Sequence, residues 1–136
     1  MTTDAPSMVA LAGALYDHLA AGDREAIVAL LDPDFVGHTT ASLPLGLGGT
    51  YETPAAMLRD FWGRIAAHYR AAACPQEYTL MEDGRLMCRG FYRGRAKVGG
   101  REFTAEFVHL IRFRGSRIVE LRQITDSAAW GEALRE

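Results

Sequence analysis

The residues in this sequence best suited to chemistry are His109, His38 and Gln123. His109 stands in "EFTAEFVHLIRF", where Phe103, Ala105, Phe107, His109, Ile111 and Phe113 occupy alternate positions. A period of two puts all six on one face of a strand, so the imidazole is expected to point into an apolar interior. There it can give or accept a proton near neutral pH, or polarise a carbonyl. Taken alone, an inward histidine is more often a satisfied core residue than a catalyst. Gln123 shares a strand face with Val119, Leu121 and Thr125. Its amide can orient a carbonyl or a water but cannot take a proton. His38 and Thr39 end the segment "FVGHTT", and a shift of one residue in register decides which of them points inward. His38 is therefore either a base or a surface histidine at a strand end. Asp126 is either an acid or, the preferred reading, a helix N-cap.

Other chemistries find no support. There is no Ser-His-Asp arrangement, no metal-ligand spacing and no dinucleotide fingerprint. Cys74 and Cys88 are far apart and form no CxxC, which speaks against zinc; two thiols are preferred over one disulfide. The net charge is −2, so nucleic acid and anionic membranes are not expected partners. Arg85, Arg89, Arg93, Arg95 and Lys97 form a local basic run, which reads as the solvent side of a strand. No stretch is long enough to span a bilayer, and "MTTDAPSM" does not resemble a signal peptide, so a cytoplasmic protein is expected.

The elements that must position these groups follow from periodicity and punctuation. "PSMVALAGALYDHLAAGD" reads as a helix capped by Gly22, and Asp23 caps a second helix, "REAIVALL", which Asp32-Pro33-Asp34 should stop. After the "FVGHTT" strand comes a loop, "TTASLPLGLGGTYETP". Thr53 and Pro54 then open a third helix, expected to run to about Ala73. The remainder reads as a meander: "EYTLMED" and "RLMCRGFYRG" around Asp83-Gly84, then the His109 strand after Gly99-Gly100, then "RIVELRQITD" after Gly115-Ser116. "SAAWGEAL" closes as a short helix. With 136 residues, about half apolar, one α+β domain of order α-α-β-α-β-β-β-β-α is expected. A curved antiparallel sheet wrapped around the third helix would leave a cone-shaped cavity at one end. Tyr16, Phe61, Trp62, Ile65, Tyr92 and Phe107 are either its walls or plain core residues, with Thr39 at the strand end. Leu43, Leu45 and Leu47 would form a lip over it, since the glycine loop lacks the lysine of a phosphate loop.

This order, with "LAAGDREAIVALLDPDFV", "GGTYETPAAMLRDFW" and "FVHLIRFRGSRIVELRQITD", resembles the NTF2-like superfamily, and within it the SnoaL-like polyketide cyclases and ketosteroid isomerase-like proteins. The resemblance covers about Leu11 to Leu134. It implies that His109 falls where ketosteroid isomerases place an oxyanion-stabilising acid. His38 and Thr39 fall near the isomerase proton-transfer aspartate. Gln123 falls where SnoaL-like cyclases and limonene epoxide hydrolases carry an acid/base aspartate, and this departure bears on the mechanism. Gly90 and Tyr92 stand near the hydrolase Arg and Asp positions and cannot do that work. The implied function is cofactor-independent proton abstraction next to a carbonyl of a small apolar compound, followed by aldol closure or isomerisation. The alternative is a carrier of the same fold that binds its ligand without turnover. Val108 and Leu110 make the His109 strand apolar on its other face too, so a homodimer is expected.

Overall fold

The computed structural model describes residues 4–135. Helix α1 (Ala5–Ala21) starts at Asp4, whose carboxylate accepts the Ser7 N–H, and ends at Gly22 in the left-handed conformation (φ 68°). Its buried stripe is Met8, Ala12, Leu15 and Tyr16. Helix α2 (Arg24–Leu30) is capped by Asp23. Strand β1 (Leu31–Thr39) follows at once, so Asp32-Pro33-Asp34 lies inside the strand instead of in a turn before it. After a one-turn 3₁₀ helix (Pro44–Gly46), the short strand β2 (Gly49–Tyr51) pairs back onto β1.

Thr53 caps α3 (Pro54–Ala56), with its hydroxyl accepting the Ala56 N–H. A π-helical turn (Met57–Trp62) and α4 (Gly63–His68) continue it. The widened turn is visible at Gly63, whose N–H bonds to the Leu58 carbonyl five residues back. Strand β3 (Tyr69–Leu80) begins directly after His68. The helix expected to reach Ala73 thus stops early. Ala71, Ala72 and Ala73 favour helix locally, but pairing with Gly94, Arg93 and Tyr92 of the next strand overrides that preference. Pro75 sits within β3, tolerated because β3 is an edge strand, and the register shifts just after it.

Strands β4 (Leu86–Ala96), β5 (Glu102–Arg114) and β6 (Arg117–Thr125) complete an open six-stranded sheet in the order β2-β1-β6-β5-β4-β3. All pairs are antiparallel except β1 with β6. The β3–β4 hairpin closes on a bond from Met81 N–H to Arg85 C=O (2.8 Å), so its turn is residues 82–84 and not the two-residue Asp83-Gly84 turn. Gly90 and Gly94 let β3 cross close to β4. A Cβ at Gly90 would collide with the Cys74 carbonyl, and one at Gly94 with that of Arg70.

Helix α5 (Ser127–Ala133) is capped by Asp126, which accepts the Ala129 N–H. It carries Trp130 into the core, where the indole meets Tyr69, Tyr92 and Phe103. Burying a large apolar side chain of this kind contributes about 1.5–3 kcal/mol. The fold is α+β: a curved sheet with helices α1, α3–α4 and α5 packed around one core.

Candidate functional site

A cavity of about 560 Å³ opens between the C-terminal end of α1, α4 and strand β3. That size suits a small organic ligand. Its floor holds His109, Leu15, Leu121 and Trp130, and its walls include Tyr16, Phe61, Trp62, Ile65 and Tyr92. His109 is 4% exposed. It reaches the floor because it pairs with Cys88 on β4 and with Gln123 on β6, all on the concave face.

Both ring nitrogens of His109 are held by phenols. The Tyr16 hydroxyl lies 2.9 Å from Nδ1 and the Tyr92 hydroxyl 2.6 Å from Nε2. Phe107 lies against the ring, with centroids 4.3 Å apart. Desolvation pushes the His109 pKa down to about 3, so the imidazole is neutral across the physiological range. A neutral imidazole has one N–H and one lone pair. One tyrosine therefore accepts from the ring and the other donates to it, whichever tautomer is present. The accepting tyrosine keeps its own O–H for another partner.

Desolvation also raises both phenols, Tyr16 and Tyr92, far above their ordinary range, so neither is ionised. Burial raises the Cys88 thiol as well, beside Tyr16 and Tyr78. The floor is thus a set of neutral, mutually hydrogen-bonded groups without a formal charge.

Gln123 is buried behind this set. Its amide nitrogen is 3.5 Å from the Tyr92 oxygen, and its Oε1 accepts the Thr40 N–H at 3.4 Å. Thr40 Oγ1 donates to the Gln123 carbonyl (3.2 Å) and accepts the Thr125 N–H (3.0 Å). The amide therefore steadies Tyr92 and does not line the cavity.

The structure brings together His109, Tyr16, Tyr92, Phe61, Trp62 and Ile65 at the cavity, with Gln123 and Phe107 just behind. It does not bring His38, Thr39, Leu45 or Leu47 there. His38 lies on the outer side of β1, with Nδ1 3.2 Å from Thr50 Oγ1 and Nε2 3.7 Å from Glu120. Thr39 is the inward residue of that pair, but it ties down the loop. Its hydroxyl donates to Leu47 C=O (2.8 Å) and accepts the Gly49 N–H (3.0 Å). Leu47 is fully buried, and the Leu45 carbonyl accepts from Arg64. The Leu45 and Leu47 segment is packed into the core and is not a lip, because its leucines are worth more buried than poised over a cavity.

Sequence reasoning missed the support by Thr40, which needed the β1–β6 pairing to be known. It also missed Trp130 on the cavity floor. A lone tryptophan on a short helix of small residues was the available signal. Among the described residues, no group of three or more His, Cys, Asp or Glu could hold a metal ion, and no helix is long and apolar enough to cross a membrane.

Residues 12–121 match the SnoaL-like domain family. No curated protein matches the sequence significantly. Among solved structures, an NTF2-like protein of unknown function from Burkholderia pseudomallei is 25% identical, with a TM-score of 0.84, over 96% of this chain and 98% of the other. TerC, co-crystallised with polyporic acid, is 22% identical with a TM-score of 0.82, covering 93% and 97%. IdmH from Streptomyces antibioticus, a provisionally assigned polyketide cyclase, is 24% identical with a TM-score of 0.79, covering 93% and 97%. The cavity enclosed by this curved sheet and the match along most of the chain lead to one assignment: the chain belongs to the SnoaL-like family, within the NTF2-like superfamily.

Proposed function

We propose that this chain is a cofactor-independent enzyme that removes a proton next to the carbonyl of a small, mostly apolar, polyketide-like compound. The observation that carries this reading is the neutral His109 held between two phenols on the floor of an otherwise apolar cavity. The tyrosine that accepts the ring N–H turns its free O–H to the substrate carbonyl. The other tyrosine gives its proton to the ring lone pair as its oxygen takes the proton from the adjacent carbon. The C–H electron pair forms the new carbon–carbon double bond as the carbonyl π pair moves onto oxygen, giving an enolate beside an imidazolium. The low proton affinity of His109 in the free protein rises next to that enolate, because the pair is desolvated together. Return of the proton to a different carbon is an isomerisation. Attack of the enolate carbon on a second carbonyl, whose oxygen then takes the proton, is an aldol closure. Gln123 steadies Tyr92 through both.

The test uses 2-tetralone in deuterium oxide, followed by NMR. Protein-dependent exchange of its α-hydrogens should be lost in His109→Ala and kept in His38→Ala. Equal exchange by His109→Ala and the unaltered protein would sink the proposal. A second reading, a carrier that returns its ligand unchanged, is favoured by the amide at Gln123 and the weak basicity of His109. It predicts binding of 2-tetralone without any protein-dependent exchange.

We also propose a homodimer through the outer face of β5 and β6. Val108 and Leu110 are half-buried there, and Ile124 is 50% exposed. Light scattering should give twice the 14.9 kDa chain mass, and a monomer at micromolar concentration would refute it.

A further inference from the structure

The hydrogen bonds behind His109 run in one direction. They start at the Thr40 N–H, a backbone group that can only donate. It faces Gln123 Oε1 at 3.4 Å, so the end of that amide facing the Tyr92 oxygen, at 3.5 Å, is the NH₂. An amide NH₂ donates and offers no lone pair. Tyr92 therefore has no acceptor behind it. Among the described residues, the lone pair within reach of its O–H is that of His109 Nε2, 2.6 Å away.

Tyr16, on the other side of the ring, is placed differently. Its hydroxyl lies 2.9 Å from Nδ1, and the Cys88 thiol, next to His109 across the β4–β5 pairing, is a second hydrogen-bond neighbour. Sulfur can accept as well as donate. An O–H on Tyr16 thus has somewhere else to point, and an O–H on Tyr92 does not. With the ring proton on Nε2, the desolvated Tyr92 O–H would lose its acceptor. With the proton on Nδ1, every group from Thr40 to Tyr16 is paired. An unpaired hydroxyl out of water is disfavoured by about tenfold.

We infer that Gln123 is a positioning residue whose amide fixes this direction: it holds His109 as the Nδ1–H tautomer and leaves Tyr16 as the phenol whose O–H is free for a ligand. A carboxylate in the same place would accept from Tyr92 and reverse each bond as far as Tyr16. The tautomer follows from donors and acceptors alone. The roles it gives the two phenols rest on the reading of the site as one that polarises a carbonyl. On that reading Tyr16 donates to the carbonyl oxygen, where charge develops. Tyr92 passes its proton to Nε2 as its oxygen takes the proton from carbon, and the Gln123 N–H donates to that oxygen throughout.

The test is nitrogen NMR of the full chain carrying isotope-labelled histidine, near neutral pH. A ring nitrogen that bears hydrogen resonates far from one that bears a lone pair, and His109→Gln assigns the signal among the four histidines. In the unaltered protein Nδ1–H should outweigh Nε2–H by about tenfold. Gln123→Met puts an uncharged acceptor behind Tyr92 and should bring the ratio near one. Gln123→Glu should reverse the ratio once its carboxyl is ionised. A merely structural role for Gln123 would leave the tautomer unmoved. In the infrared, the carbonyl stretch of 2-tetralone should fall on binding, and Tyr16→Phe should abolish that fall.

A dominant Nε2–H in the unaltered protein overturns the inference. So does an unchanged tautomer ratio in both Gln123 variants, or a carbonyl shift that survives Tyr16→Phe. If a variant fails to fold, the ratio in the unaltered protein still decides. The 2-tetralone exchange experiment stands apart, because the tautomer is read without turnover. Dominant Nδ1–H without exchange would leave a directed network in a carrier. Exchange with dominant Nε2–H would leave an enzyme whose phenols have the opposite roles.

Discussion

The cavity floor around His109 and the sheet edge around His38 offer the same imidazole in opposite surroundings. His109 is enclosed by Tyr16, Tyr92 and Phe107, has no carboxylate partner and is held neutral. His38 is on the other side of the pleat, its side chain 25% exposed, facing Thr50 and Glu120. A single residue of register separates His38 from Thr39, which does face inward. The difference teaches that residue type nominates a catalyst, but the side of the pleat and the supply of neutral hydrogen-bond partners decide its chemistry.

The strongest way to break the comparison is through turnover. His109→Ala should slow the exchange of 2-tetralone by about 10²–10⁴-fold, the usual contribution of a positioned acid–base group, whereas His38→Ala should leave it unchanged. Matching losses in the two variants would erase the distinction.

Acid sensitivity comes next. The folded His109 pKa of about 3 lies below the ordinary 6.5, so the native state binds fewer protons than the unfolded chain between those values. Stability is therefore fully present above about pH 6.5 and falls as pH drops towards 3. The His109 share of that loss is on the order of 4 kcal/mol. Urea midpoints at pH 7 and pH 4 should show a smaller drop for His109→Gln than for the unaltered protein, and no such relief for His38→Gln.

Tyr92→Phe should cost about 1–3 kcal/mol in urea unfolding, because it strips a partner from His109 Nε2 and from the Gln123 amide. The smallest effects belong to the sheet edge. Thr39→Val should cost about 1 kcal/mol by releasing Leu47 and Gly49, and His38→Ala should stay within about 0.5 kcal/mol. Reversal of that order would mean that the edge, not the floor, holds the critical network.

Much of the scaffold was legible because local signals agreed with the fold. Thr53-Pro54, Asp23 and Gly22 cap where their chemistry says they should, and the alternation through Phe107, His109 and Ile111 gave the correct face. The end of α4 was not legible, since three alanines favour helix and only the pairing of β3 with β4 makes them strand. Gly90 and Gly94, four apart on one strand, were the unread sign of that close crossing. The clamp on His109 draws Tyr16 from α1 and Tyr92 from β4, a juxtaposition that no spacing along the chain encodes. The leucines of the glycine-rich loop looked like a lip because apolar residues among glycines read alike whether they face a ligand or a core.

The entrance is framed by methyl groups. Ala20 and Ala21 end α1, Ala66 lies on α4, and Ala71, Ala72 and Ala73 follow on β3. Alanine is the smallest side chain that still specifies a handed backbone, so every one of these positions can be enlarged and none can be usefully trimmed. At these six positions substitution can only add bulk, whereas Leu19, Trp62 and Ile65 beside them could still be trimmed. A family that varied these six positions while leaving the floor alone would sort its ligands by girth without touching the chemistry.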